Sequence, residues 1–260
     1  MILENIGKKV TGPVETFVGL STLFVETLKV IFTEKGKGRR LLLGIIKKQI
    51  LFTGFDAMPV ITITSLLIGM VTIIEVITQL PTVGGESYMG SILVIVVLRE
   101  LGPLLTAFII IGRSGTAIST EIGNMMVGGE VQAIENMGIN PLRFIIMPRL
   151  FGVTIAMVCL AIYFDLSAIV GGFVFARLTV NYPLAAYVAD ITSALGFFDL
   201  MAGIIKCFIF GVIIAIVCAA YGFSVKVATT EVPQATTKAV VTCIYLCFVA
   251  NCIITAFFFI

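Results

Sequence analysis

Histidine and tryptophan are both missing from this 260-residue chain, and charged residues make up only 12% of it. Without histidine, the chain lacks the commonest general base and metal ligand, which disfavours most hydrolytic and zinc-dependent mechanisms. The net charge of +2 is too small to indicate nucleic-acid binding. The sequence contains no G-x-x-x-x-G-K-[ST] loop, so we do not expect this chain to bind ATP through such a loop.

The six cysteines form no recognisable metal or redox motif. All of them fall in apolar stretches and none forms a C-x-x-C pair, so we interpret them as small buried hydrophobic residues and expect no metal site. The polar N-terminal region has no short apolar segment followed by a small-residue cleavage site. We therefore predict no cleavable signal peptide.

Apolar residues are abundant: they account for 59% of the chain, and the mean hydropathy is +1.13. A soluble domain contains fewer apolar and more charged residues, so much of this surface requires lipid as its solvent. Five stretches reach the length of about 20 residues that a membrane span needs, which predicts an all-α helical membrane bundle. The predicted spans are 55–80, 89–111, 150–176, 200–223 and 239–260.

The first 48 residues are the most polar part of the chain. Apolar residues recur there at helical spacing on one face between positions 10 and 32, which predicts a helix lying in the membrane interface. A soluble packing helix is the alternative. The basic run at 35–40 and two further lysines form a collar before the first span. We therefore divide the chain into an interfacial helix with its collar, 1–48, and a five-span domain, 49–260.

The distribution of positive charge predicts the orientation of the bundle. Of the 17 lysine and arginine residues, nine precede the first predicted span, three lie between spans two and three, and two lie between spans four and five. Arg177 alone lies in a loop on the opposite side. The positive-inside rule then predicts an inner N-terminus and an outer C-terminus.

Among the charged residues of the predicted spans, five lie where a charge is costly and normally faces the bundle interior or a wet cavity. They are Glu75, Arg99, Glu100, Asp165 and Lys206. Arg99 and Glu100 are neighbours and so point to different helix faces, and Pro103 is expected to kink or widen the helix. Asp165 and Lys206 lie on consecutive spans at depths that can match, so we predict an intramembrane ion pair. A purely structural role for these charges stays open.

The longest inner connection, 112–148, contains a predicted short helix at 130–137, set between two glycines and an Asn-Pro pair. Small residues at 112–117 and 171–172 indicate close helix packing. The GRSG sequence at 112–115 is like the motif of intramembrane serine proteases. Those enzymes need a histidine partner, so we predict no catalytic residues.

Several segments resemble the MlaE (YrbE) permeases, which are the membrane subunits of ABC-type lipid transporters that work with MCE proteins. The first lies at 98–123, LRELGPLLTAFIIIGRSGTAISTEIG, and is similar to the family's L-R-E-L-G-P-x-x-T-A and G-R-x-G-x-A-x-x-A-E-I-G stretches, with Thr120 replacing the last alanine. The second lies at 130–149, EVQAIENMGINPLRFIIMPR, and is similar to E-x-x-A-L-x-x-M-x-x-x-P-x-x-x-x-x-x-P-R. Three shorter matches follow in family order, so the resemblance covers about residues 50–260. They are Asp165 ahead of Gly171–Gly172, IIKCFIFG at 204–211, and ATTKAVV at 235–241.

The resemblance implies a homodimeric permease of the bacterial inner membrane, with its N-terminus in the cytoplasm and its C-terminus in the periplasm. It implies a cytoplasmic P-loop ATPase dimer and a periplasmic ring of MCE-domain protein as partners, and phospholipid moved between the inner and outer membranes. ATP and Mg²⁺ would be held by the ATPase, with no cofactor on this chain. The helix at 130–137 would be the coupling helix that docks on the ATPase. Its coupling residues would be Glu130, Ile134, Glu135 and Met137.

The resemblance also implies a lipid cavity between the two subunits, with Arg99 and Glu100 near it. Four apolar residues of the first span would line the acyl-chain path, although their face could equally pack or meet bulk lipid. They are Leu67, Met70, Ile74 and Ile77. Two departures from the family pattern bear on such details: Glu75 stands where an uncharged polar residue is expected, and Pro233 stands where a glycine is expected.

Two other functional classes remain beside the ABC permease. An ion-coupled secondary transporter of lipids or small molecules suits the buried charges, although no internal repeat is present. A scaffold that anchors an MCE protein without transporting anything is the second.

Overall fold

All of the secondary structure in the described residues of the computed structural model, which are 19–30, 39–79, 89–226 and 228–259, is helical. Five helical segments in these ranges are long and apolar enough to cross a membrane, which confirms the predicted all-α membrane bundle and its number of spans. Spans one to five are Leu42–Thr78, Gly90–Val127, Leu142–Val180, Phe197–Phe223 and Glu231–Phe258.

Eleven α-helices lie in the described residues, and most of them are parts of the five spans. Residues 19–30 form α1. Span one consists of α2 (Arg39–Gly54) and α3 (Met58–Gln79), and span two consists of α4 (Met89–Ile92), α5 (Gly102–Ile110) and α6 (Thr116–Val127). The remaining helices are α7 (Glu130–Asn136), α8 (Met147–Val180) in span three, α9 (Leu184–Ala194), α10 (Phe197–Phe223) in span four and α11 (Glu231–Phe259) in span five. Helix α8 lies at the centre, because α2, α3, α5 and α10 all pack against it.

A proline interrupts the regular helix of span one. Pro59 has no N–H, so the carbonyl of Phe55, four residues earlier, loses its usual donor. The Met58 N–H bonds that carbonyl instead, and Phe55–Ala57 form a short 3-10 turn. The junction between α2 and α3 is therefore set by the proline.

Three other interruptions are π-helical, and two of them precede prolines. Leu93–Leu101 are π-helical just before Pro103, and Leu142–Ile146 are π-helical just before Pro148. The expected widening of span two near Pro103 is thus confirmed. A further π-helical turn, Ile111–Gly115, joins α5 to α6.

Spans one, two and three contain 37, 38 and 39 residues. At 1.5 Å per residue each is about 55 Å long, whereas the hydrocarbon core of a bilayer is about 30 Å thick. Each of these spans must tilt or extend beyond the membrane. The inner connection predicted at 112–148 is accordingly mostly helical, because α6 continues span two and packs against α10 and α11.

The N-terminal part of the five-span unit also differs from the prediction. The expected boundary between residues 48 and 49 falls inside α2, which packs against α8 and continues span one. A Cβ atom on Gly152 of α8 would lie 2.5 Å from Gln49 Cγ, so the two helices are in close contact. The predicted N-terminal helix lies partly outside the described residues. Its described part, α1, contributes Leu20 and Phe24 to an apolar cavity of about 330 Å³ beside α10 and α11.

Small residues bring spans one and three together. A Cβ atom on Gly69 of α3 would collide with the carbonyl oxygen of Ala168, and a Cβ atom on Gly171 of α8 would collide with the carbonyl oxygen of Leu66. The neighbouring Gly172 faces the Tyr187 hydroxyl, which would lie 2.7 Å from an added Cβ. Close packing, as predicted for Gly171–Gly172, is confirmed by these backbone contacts.

We expect Gly171→Ala to destabilise the bundle by about 2 kcal/mol, because the added methyl group meets backbone atoms that have little freedom to move. Gly44→Ala is the matched control, since no atom lies within 4 Å of its added Cβ. Thermal unfolding of both variants in detergent, followed by circular dichroism, measures the difference. Equal midpoints for the two variants would contradict this packing.

Candidate functional site

The strongest polar cluster in the described membrane segments centres on Glu100. Its Oε1 atom lies 2.9 Å from Lys206 Nζ, and its Oε2 atom accepts a hydrogen bond of 2.8 Å from Asn251 Nδ2. The Thr255 hydroxyl donates to Glu100 Oε1 at 3.0 Å. Spans two, four and five are therefore tied together by one carboxylate, and its charge is matched by the ammonium group of Lys206.

Pro103 explains how the lysine is held. Because Pro103 has no N–H, the carbonyl of Arg99, four residues earlier, lacks its helical donor. Lys206 Nζ donates to that carbonyl at 2.9 Å while also bonding Glu100. The Lys206 side chain is completely buried, and these two acceptors replace the water that it would otherwise bind.

The predicted ion pair between Asp165 and Lys206 is wrong, because Lys206 pairs with Glu100. Asp165 lies on span three, and a Cβ atom on Gly102 of span two would collide with its Oδ1 atom. That Oδ1 atom is buried and accepts no hydrogen bond from any described residue. The expectation of matching depth on consecutive spans did not determine which carboxylate the lysine meets.

Asn251 and Thr255 are the residues that sequence reasoning missed. They lie four residues apart on α11 and so share one face, and both bond Glu100. A polar pair at this spacing in an otherwise apolar span was the available signal. A sequence analysis that looks for charges within spans does not detect a pair of uncharged polar residues.

A cavity of about 280 Å³ lies between spans two, three and four, next to this cluster. Arg99, Asp165 and Asp199 are its charged lining residues, and Arg99 Nη1 lies 3.9 Å from Asp199 Oδ1. Arg99 and Glu100 therefore point to different sides of their helix, as expected from their adjacent positions. Arg99 faces the cavity, whereas Glu100 faces spans four and five.

The four span-one residues predicted to line a lipid path do not lie on this cavity. Leu67 is exposed, whereas Met70, Ile74 and Ile77 are only partly exposed, so the four do not form one open face. The most exposed stripe of α3 instead contains Leu67 together with a charged residue, Glu75. The other members of that stripe are Val60, Ile63, Val71 and Thr78. A role for Leu67, Met70, Ile74 and Ile77 in binding lipid stays a prediction.

Helix α7 confirms the predicted short helix, with its last residue at Asn136. Its ends are set by glycines, because Gly129 and Gly138 both have positive φ, at 70° and 72°. The Ile139 N–H bonds the Ile134 carbonyl at 3.2 Å, which is the hydrogen bond that closes a helix ending in a left-handed glycine. These glycines confine the helix to a single short segment.

The predicted coupling residues lie mostly on the open face of α7. Glu130, Glu135 and Met137 are exposed, and Ile134 is partly buried against the core. Met137 is 66% exposed, although it is a large apolar side chain. An open apolar residue flanked by two carboxylates is suited to binding another protein.

Two ion pairs near the inner ends of the spans were not predicted. Arg149 Nη2 lies 2.7 Å from Glu121 Oε2, which connects α8 to α6. Arg113 Nη2 lies 2.9 Å from Asp56 Oδ2, and its Nη1 atom donates to the Phe52 carbonyl at 2.8 Å. Both pairs attach the extended inner part of span two to its neighbours.

The cysteines divide into two groups. Cys207, Cys218, Cys243 and Cys247 are buried, as predicted, and Cys218 Sγ lies 3.7 Å from Cys243 Sγ. Cys159 and Cys252 are exposed on the helix surfaces, so the prediction was wrong for these two.

Comparison with known proteins places this geometry in a family context. The family model described as Permease MlaE matches residues 46–257. A probable ABC transporter permease protein of Rickettsia prowazekii is 32% identical over 219 residues, which cover 84% of this chain and 85% of that protein. Its counterpart in Rickettsia typhi is 31% identical over the same length and coverage.

A third relative carries a more specific name. The intermembrane phospholipid transport system permease protein MlaE of Haemophilus influenzae is 29% identical over 198 residues, which cover 76% of each chain. The range matched by the family model, 46–257, includes α7 and nearly all of the five membrane segments.

We expect Lys206→Met to destabilise the protein by about 3 kcal/mol, because it leaves the Glu100 carboxylate without its cation. Adding Glu100→Gln should recover part of that loss, since the uncompensated charge is then removed. A double-mutant cycle on thermal unfolding in detergent measures the coupling. Single effects that simply add in the double variant would show that the pair contributes no coupling energy.

Proposed function

This chain belongs to the MlaE permease family, and from that premise we propose that it is the transmembrane subunit of an ATP-driven ABC transporter of phospholipids. The transport route would connect the inner and outer membranes of a bacterial envelope. The observation that carries the proposal is the family match over residues 46–257 on a chain with five membrane spans. The name of the Haemophilus influenzae relative supports phospholipid as the substrate class.

The energy would come from a partner. The sequence contains no phosphate-binding loop of the G-x-x-x-x-G-K-[ST] type, and the Rickettsia relatives are named as permease proteins of ABC transporters. We assign ATP and Mg²⁺ to a separate cytoplasmic P-loop ATPase dimer, with no cofactor and no catalytic residue on this chain. Helix α7 would bind that ATPase through Glu130, Glu135 and Met137.

The remaining partners follow from the same premise. The proposal includes a second copy of this chain as a homodimer, a periplasmic ring of MCE-domain protein, and an inner-membrane location. The excess of lysine and arginine in the connections on one side supports a cytoplasmic N-terminus and a periplasmic C-terminus. Helix α7 lies on that positively charged side, where an ATPase would meet it.

Mechanically, ATPase closure would act on α7 first. Helix α7 contacts α6, and α6 packs against α10 and α11 while Glu121 bonds Arg149 of α8. A displacement of α7 would therefore reach spans three, four and five through α6. Closure of the ATPase dimer would then be coupled to a change in the arrangement of the spans.

An ion-coupled secondary transporter is the second candidate, and buried charges are the observation in its favour. The charges of Glu100 and Lys206 are matched by each other and by Asn251 and Thr255. A carboxylate so fully bound is suited to holding helices together, whereas a transported ion needs a site that it can leave. We therefore favour the ABC permease.

We expect Glu130→Arg to reduce recovery of the P-loop ATPase in a mild-detergent pull-down by about tenfold or more, because a charge-matched surface is reversed. Glu135→Arg should act in the same direction. Phospholipid transfer by the reconstituted complex should fall in parallel, and mass spectrometry of the eluate identifies the partner.

Asn124→Arg is the control, because it introduces an arginine at an exposed position of α6 that is not one of the proposed coupling residues. It should retain both the ATPase and transfer. Recovery of the chain alone, under conditions that preserve a known ABC complex, would reject the proposal and favour the ion-coupled carrier.

A further inference from the structure

We propose that the cavity between spans two, three and four binds the primary ammonium headgroup of a phospholipid, with Asp165 as its acceptor. The inference rests on the proposed phospholipid substrate and adds the headgroup class to it. Four observations carry it: a carboxylate oxygen without a hydrogen-bond donor, an adjacent guanidinium group, the size of the cavity, and the surface onto which it opens.

Asp165 is the centre of the proposal. It lines the cavity, and its buried Oδ1 atom accepts no hydrogen bond from any described residue. Burying a carboxylate oxygen without a hydrogen-bond donor costs free energy, because its hydrogen bonds to water are lost and are not replaced. A ligand that brings N–H donors into the cavity would supply the missing partner.

The surrounding charges fit a zwitterion. Arg99 also lines the cavity and presents a guanidinium group, the side chain best suited to a phosphate. Asp199 Oδ1 lies 3.9 Å from Arg99 Nη1, so a phosphate would share the guanidinium group with this carboxylate. A headgroup with a phosphate beside Arg99 and an ammonium group beside Asp165 would match both charges. A purely anionic headgroup would match Arg99 alone.

The cavity volume favours a headgroup over an entire lipid. At about 280 Å³, the cavity is slightly smaller than the range for small-molecule sites, which begins near 300 Å³. A phospholipid with two acyl chains is much larger than this. Its chains would therefore have to lie outside the cavity.

The rim of the cavity provides a surface for those chains. Ile162 of span three and Phe197, Leu200 and Ile204 of span four line the cavity and are also exposed. These residues belong to membrane-spanning helices, so their open face meets lipid. A lipid could enter sideways, with its headgroup inside and its chains along this rim.

The site is separate from the Glu100 cluster. The Glu100 oxygens are occupied by Lys206, Asn251 and Thr255, and Glu100 does not line the cavity. Asp165, by contrast, lines the cavity and has one carboxylate oxygen, Oδ1, without a hydrogen-bond donor. It can be changed without removing a partner from the cluster.

The test is native mass spectrometry of the purified full-length chain, with whichever partners co-purify, in nanodiscs. The nanodiscs contain equal amounts of phosphatidylethanolamine, phosphatidylcholine and phosphatidylglycerol. Phosphatidylethanolamine should be enriched about tenfold among the retained lipids, as a charge-assisted hydrogen bond provides. Phosphatidylcholine should not be enriched, because its quaternary nitrogen has no N–H donor.

Asp165→Asn should abolish this preference while leaving the amount of retained phosphatidylglycerol unchanged. Gly203→Leu should exclude all three lipids from the cavity, because Gly203 lines it and its added Cβ meets no atom within 4 Å. Gly44→Leu is the matched control, with equally open space away from the cavity. Unchanged thermal midpoints should establish that each variant is folded.

Two results would overturn the inference. One is equal retention of the three lipids by the unaltered protein. The other is a preference for phosphatidylethanolamine that survives both Asp165→Asn and Gly203→Leu. Either result leaves the proposed transport function intact, because phospholipid would still be bound and moved. Loss of the transport function itself is detected separately, by absence of ATP-dependent lipid transfer in the reconstituted complex.

Discussion

The hydrogen bond from Lys206 to the Arg99 carbonyl is the constraint on which much of the membrane core depends. It exists because Pro103 cannot donate to that carbonyl, so span two presents an open acceptor to span four. The lysine that fills this acceptor brings a charge with it, and Glu100 on the next residue compensates that charge. Asn251 and Thr255 of span five then donate further hydrogen bonds to the Glu100 carboxylate. One missing N–H thus accounts for a polar contact among three helices.

This arrangement also determines what lies on the other side of span two. Consecutive residues point to different helix faces, so the inward direction of Glu100 turns Arg99 towards spans three and four. There Arg99 meets Asp199 loosely and shares a cavity with Asp165. Gly102 leaves room for the Asp165 side chain against span two. The Glu100 cluster and the cavity therefore lie on two different faces of the same segment of span two. Side chains of spans four and five fill the first face, whereas the second face borders the cavity.

The fold was largely predictable from the sequence because lipid imposes a simple rule. A span needs about 20 apolar residues, and the five stretches that meet this requirement all became spans. Helix α7 was predictable from its flanking glycines. The helix ends were not, since apolar length does not reveal that α6 continues beyond the membrane to pack on α10 and α11.

The pairing of charges was harder to predict, because it depends on rotation and depth together. Lys206 had two candidate carboxylates, Glu100 on span two and Asp165 on span three, and the rotation of the helices brings Glu100 to it. A search for charged side chains does not consider the Arg99 carbonyl. Pro103 nevertheless indicates it, because a proline has no N–H to donate to the carbonyl four residues earlier. A search that counts the acceptors released by prolines would have selected Glu100, because the released carbonyl and Glu100 come from adjacent residues.

The π-helical turn at Ile111–Gly115 is the remaining element that connects the inner helices to the membrane core. Above it, α5 is fixed by its contacts with α8 and α10, and below it α6 leads directly to α7. If α7 moves with a bound partner, α6 must either rotate span two as a whole or change its angle at this turn. Rotation of the whole span would break the contacts of Glu100 with Lys206 and Asn251. A change confined to the turn would preserve them, and π-helical segments are common where helices need such adjustment. The cluster would then hold the membrane half of span two in place while its inner half follows the partner.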